Sequence, residues 1–115
     1  MKQSAEEFLP LAPAMLHILL SLAGEDRHGY GIMQEVARQS DGRYKLGPGT
    51  LYDNLQRLMK QGLVEETGAN GEDSRRRCYT LSSLGRGVLL AEITRLEGVV
   101  KEARLHFHPQ QTRRA

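Results

Sequence analysis

The chain has 115 residues, 39% hydrophobic and 26% charged, which suits one globular domain with a single core and leaves little room for a large enclosed active site. No apolar run approaches the roughly 20 residues of a membrane span, and the acidic start around Glu6-Glu7 does not read as a signal peptide. A net charge of +2 permits nucleic acid as a partner without arguing for it, and the lone Cys78 excludes an internal disulfide, making a reducing cytoplasm the default compartment.

The first expected helix covers Ala12 to Ala23, with Pro13 in its first turn and Met15, Leu19 and Leu22 at helical spacing. A polar turn, Glu25-Asp26-Arg27, leads into a second helix from His28 to Gln39, whose apolar stripe is Ile32, Met33, Val36 and Ala37. Ser40-Asp41-Gly42 is a turn cluster, and Tyr44-Lys45-Leu46 reads as a short extended piece. A third helix spans Pro48 to Gln61 on Leu51, Leu55 and Leu58, and Gly62 sits where a C-terminal glycine belongs. Leu63 to Thr67 and Arg77 to Leu81 are strand-like, and the polar, glycine-bearing segment between them predicts a β-hairpin.

The last helix starts at Ser82 or Ser83, either of which can cap it, and Pro109 stops it. Along it Leu89, Ile93, Leu96, Val100, Ala103 and Phe107 recur at alternating spacings of four and three, the pattern of a dimerisation seam. The expected organisation is a winged helix-turn-helix domain over 9–81 and a dimerisation helix over 82–108. Residues 1–8 and 109–115 are expected to be flexible tails. The fold class is mainly α with a small β-hairpin.

The order of elements predicts a DNA reader. A helix fits the major groove, two further helices hold it, and a hairpin wing reaches the adjacent backbone. On the third helix Asp53, Gln56, Arg57 and Lys60 fall opposite the leucines, with Thr50 at the exposed start and Tyr52 on the border. Gln56 and Arg57 can pair with base edges, while Thr50 and Tyr52 can donate to phosphate. Asp53 repels phosphate but can accept from a cytosine amine. The same pattern also describes a solvated helix face. Arg75, Arg76 and Arg77 open the second wing strand and suit phosphate contacts, although Glu72 and Asp73 offset them. From Arg43 to Arg77 the basic side chains outnumber the acidic by only two, so they must be segregated in space to act.

Cys78 has no partner cysteine, His106 and His108 form an isolated H-x-H, and Gly47-Pro48-Gly49-Thr50 lacks the Lys-Ser/Thr of a phosphate loop. No acid pair, triad or metal quartet supports catalysis, and no metal or cofactor is expected. The competing reading is a winged-helix protein-interaction module.

Several motifs, in order, resemble the PadR family of transcriptional regulators. His28-Gly29-Tyr30-Gly31-Ile32 is similar to its HGYxI element, and Leu46-Gly47-Pro48-Gly49-Thr50-Leu51-Tyr52 to its signature at the recognition helix. Leu55-Gln56-Arg57-Leu58 with Gly62-Leu63-Val64 follows L-x-R-L…G-L-[IV]. Arg77 to Gly85 follows R-x-Y-x-L-T-x-x-G, with Ser82 in place of Thr. The resemblance covers roughly Leu9 to Val100. It implies a homodimeric winged-helix regulator, usually a repressor, acting on double-stranded DNA, with the single C-terminal helix of the short subclass making the dimer. Some members respond to aromatic acids or drugs near the dimer interface. This chain has no tryptophan, so a pocket of stacked indoles cannot form in it.

Overall fold

The computed structural model describes residues 4–67 and 77–107. A 3-10 helix over Ala5–Phe8 is followed by α1 (Pro13–Ser21), β1 (Arg27–His28), α2 (Gly29–Gln39), α3 (Pro48–Lys60), β2 (Val64–Thr67), β3 (Cys78–Leu81) and α4 (Ser83–His106). Three short helices, a small antiparallel sheet and one long helix match the expected class.

The helix ends follow from local chemistry. α1 closes at Ser21 because the Leu22 and Ala23 N–H groups turn back to the Leu19 and Leu20 carbonyls, three residues earlier, at 3.1 Å each. His28 caps α2, its Nδ1 accepting the Gly31 N–H at 3.1 Å. α3 ends as its glycine predicts. Gly62 takes φ 78°, its N–H bonds the Met59 carbonyl at 3.1 Å, and the Leu63 N–H reaches back to Leu58 at 2.9 Å. α2 ends the same way with Asp41 as the left-handed residue, at φ 57°.

Two expectations need correction. Tyr44-Lys45-Leu46 forms no strand; Ser40 Oγ accepts the Tyr44 N–H at 2.9 Å, and Leu46 drops into the core. The third strand is instead Arg27–His28, so the hairpin is part of a three-stranded sheet ordered β1-β3-β2. Arg27 lies opposite Tyr79 and His28 opposite Cys78, while Val64 pairs with Leu81 and Thr67 with Cys78. Arg27 holds β1 in place: its Nε donates to the Ser21 carbonyl at 2.7 Å, and its guanidinium lies 3.7 Å from Glu35.

The core forms where α1, α2, α3, the sheet and the start of α4 meet, on Ile18, Leu19, Ile32, Leu55, Leu63 and Val88 among others. The start of α4 sits tightly on the end of α3. Ser82 Oγ accepts the Gly85 N–H at 2.9 Å, and the Ser82 N–H donates to the Leu63 carbonyl at 3.1 Å. A Cβ on Gly85 would overlap that same carbonyl, which accounts for glycine here.

Of the two expected flexible tails, residues 1–3 and 109–115 lie outside the described residues, and the segment over 5–8 is ordered instead. The start of the chain carries the 3-10 helix, with Ala5, Phe8, Leu9 and Leu11 packed on the core. Its anchor is Glu92, a carboxylate only 1% exposed on α4. Arg95 donates to it at 2.6 and 3.0 Å, and the Leu11 backbone N–H donates at 3.1 Å. The Arg95 hydrogen bonds, with help from the Leu11 N–H, hold its pKa below the ordinary 4.5 against the opposing effect of burial. A lowered folded-state pKa contributes stability that is present above the unfolded value and lost as pH falls through the folded one. Urea unfolding midpoints should therefore drop below about pH 4.5, and Glu92→Gln should flatten that acid limb. An identical acid limb in the Gln variant would assign it to other carboxylates.

Candidate nucleic-acid interface and dimer face

α3 presents two faces. Leu51, Leu55 and Leu58 are buried, whereas Thr50, Gln56, Arg57 and Lys60 are exposed. Arg57 lies 3.5 Å from Asp53 one turn earlier, both side chains well exposed. Such a surface pair is weak, so the guanidinium can exchange this carboxylate for a phosphate or a base edge. Asp53 thereby holds Arg57 along the helix rather than standing as an isolated repulsive charge. Asn54, which carries no role in the sequence reading, turns back on its own helix, its side-chain amide donating to the Thr50 carbonyl at 2.8 Å. Arg43 and Lys45, exposed in the loop before α3, add positive charge at the same end of the helix.

Tyr52 has a packing role that sequence reasoning missed. It is 45% exposed, but its ring end lies over Gly29, where any Cβ would collide with it. The glycine that opens α2 and the tyrosine in the second turn of α3 are thus one contact, setting α3 against α2. Next to Gly29, Tyr30 is 62% exposed and His28 is exposed as well. Both are further candidates for phosphate contact. A tyrosine that breaks an amphipathic pattern without entering the core was the signal available for Tyr30.

Of the wing arginines, Arg77 lies within the described residues, and Arg75 and Arg76 lie outside them, as does the loop over 68–76. Arg77 reaches across the sheet to Glu66 at 3.3 Å, so part of its charge is already neutralised. Tyr79 faces the core beneath this strand, and burial pushes its phenol pKa up.

The expected dimer seam divides in two. Leu89 is 3% exposed and belongs to the chain's own core, so it is not part of an open face; Ile93 packs partly against that core. The open part starts at Leu96, which is half-buried, and continues through Val100, Ala103 and Phe107, with Val100 48% and Phe107 74% exposed. Leu90, Val99 and Leu105 are exposed apolar residues that the heptad reading omitted. Val99 lies on the side of the helix that runs through 85, 88, 92, 96 and 103, whereas Leu90 and Leu105 lie on the opposite side. The side of α4 that covers the core continues past Glu92, beyond which no residue of the helix is buried among the described residues.

Cys78 is half-buried in β3. His17 stacks on Tyr44 at 4.4 Å, and His106 lies 3.8 Å from Glu102, while His108 lies outside the described residues. Among the described residues no three His, Cys, Asp or Glu side chains gather as metal ligands, and no helix is long and apolar enough to cross a membrane.

A helix-turn-helix whose third helix carries an exposed polar face, flanked by a three-stranded sheet, defines a winged-helix protein. Residues 16–91 match the Transcriptional regulator PadR-like family, and the chain belongs to that family, which is one of regulators rather than enzymes. It is 34% identical over 91 residues to the transcriptional regulator Rv3488 of Mycobacterium tuberculosis, covering 79% of this chain and 82% of that one. Its fold is similar to a transcriptional regulator from Clostridium thermocellum, with a TM-score of 0.68 and 26% identity over 83% of this chain and 89% of the other. It is also similar to Bacillus subtilis PadR, solved in complex with operator DNA, with a TM-score of 0.63 and 20% identity over 73% of this chain and 48% of the other.

Proposed function

We propose that this regulator acts in the cytoplasm as a homodimeric repressor on an inverted-repeat operator, reading bases with α3. The observation that carries this reading is the exposed face of α3, where Thr50, Gln56, Arg57 and Lys60 stand clear of the core on a helix fixed by Tyr52 over Gly29. Thr50 and Tyr52 stand in the half of α3 that goes deepest into a groove and Gln56 just past its middle, and these three govern placement and base choice. Arg57 and Lys60, with Arg75, Arg76 and Arg77, neutralise phosphates. Support for the DNA role comes from Bacillus subtilis PadR, of similar fold, whose structure holds operator DNA. The family resemblance supports the repressing sense.

The test is retardation of genomic DNA fragments across a salt series. A steep fall of affinity with salt is expected. Changing Arg75, Arg76 and Arg77 together to Ala should weaken binding to all sequences alike and lower the salt slope by up to about 3 per subunit. Arg77→Ala alone should lower the slope by less than one full phosphate contact, because Glu66 already pairs with it. An unchanged slope would remove the wing from the interface. Absence of any retarded fragment at low salt would remove the DNA reading itself.

A further inference from the structure

A buried charge is costly unless it is paired and hydrogen-bonded, and a well-packed apolar side chain would fill the same space at lower cost. Glu92 is such a charge, and its position in the fold gives it a role. The buried residues of α4 are Gly85, Val88, Leu89 and Glu92. From Ile93 onward no α4 residue is buried, and Val99 and Val100 are about half exposed. Glu92 therefore stands in the last buried turn, where α4 leaves the domain.

The partners of Glu92 come from both sides of that point. Arg95 belongs to the next turn of α4, and the Leu11 N–H belongs to the arm that follows the 3-10 helix, which packs against α4. α4 is one continuous helix, so its projecting half can swing only if its last buried turn lifts from the core. The arm lies against that helix, and the Glu92 carboxylate ties the two together.

We propose that Glu92 is a positioning residue: by accepting the Leu11 N–H at the last buried turn, it fixes the angle between the projecting half of α4 and the domain that carries α3. This rests on the reading of the chain as a dimer on DNA. In such a dimer that angle sets the separation and relative rotation of the two α3 faces. One added base pair rotates a half-site by roughly 35° and moves it by about 3.4 Å, so a rigid joint discriminates half-site spacing and a loose one does not.

The test uses the full chain with Cys78→Ser and a spin label at Gln61→Cys, an exposed position, and measures the distance between labels across the dimer. The parent should give a narrow distance distribution. Glu92→Leu and, separately, Leu11→Pro, which removes the donated N–H, should broaden it. Glu92→Gln keeps an oxygen for Leu11 and should stay narrow. On operators with half-site spacing changed by one base pair, the parent should lose about tenfold in affinity and Glu92→Leu less than about threefold. A merely stabilising carboxylate would lower the melting temperature in these variants without broadening the distribution. Folded Glu92→Leu and Leu11→Pro dimers with the parent's narrow distribution and spacing preference overturn the proposal. Should Glu92→Leu fail to fold, Leu11→Pro decides alone. Failure of the underlying reading looks different: the parent then shows no distance between labels, or binds DNA at no spacing, and the proposal falls with it.

Discussion

A chain carrying both Leu96→Asp and Val100→Asp should sediment as a monomer at micromolar concentration and lose about 10²-fold or more in operator affinity. Leu96 and Val100 stand on the side of α4 that has left its own core, half-buried and exposed respectively. A two-fold partner would cover that stripe with its own copy of it. Two aspartates per subunit would then bring like charges together in an apolar interface, where each unpaired carboxylate is costly. The fold of each subunit should survive, because the core on which α4 rests is built from Val88 and Leu89, before the altered positions. Loss of affinity then reflects the loss of linked binding by two half-site readers. A native protein that is already monomeric at micromolar concentration would refute the dimer.

Leu55→Ala should fail in another way. Leu55 is buried in the middle of α3, behind the face assigned to DNA. Removing its side chain leaves a cavity and should cost about 2–5 kcal/mol, a large part of the roughly 5–15 kcal/mol that holds a domain folded. Urea unfolding should show the lower midpoint, and DNA binding should be lost in proportion to the unfolded fraction. Binding that disappears while the midpoint stays unchanged would mean that Leu55 meets the DNA and that the faces of α3 are reversed.

The helices are legible in the sequence because their signals are local. Leu51, Leu55 and Leu58 mark one face of α3, Gly62 supplies the left-handed residue that ends it, and Ser82 caps α4. Contacts between distant segments are not legible. β1 is two residues, Arg27 and His28, with little strand character of their own, and it becomes a strand through pairing with Tyr79 and Cys78. Tyr52 reads as a border residue because its partner, Gly29, lies on another helix and has no side chain to advertise the contact. Glu92 carries no role in the sequence reading because nothing in its neighbourhood announces that the Leu11 N–H will reach it. Leu89 continues the heptad spacing, but the repeat says nothing about where the domain ends and the open stripe begins.

The central claim is that two copies of α3 read an inverted repeat, and a binding selection on randomised DNA tests it most directly. The native chain should enrich an inverted repeat with half-site centres about 34 Å apart, one helical turn, or a multiple of it. Lys60→Ala should return the same motif with weaker binding throughout. Gln56→Ala should change the preference at one base pair per half-site, by about 1–3 kcal/mol. Enrichment of no motif, or of a single asymmetric site, would contradict the account, and an unchanged motif from Gln56→Ala would show that this face of α3 does not read bases.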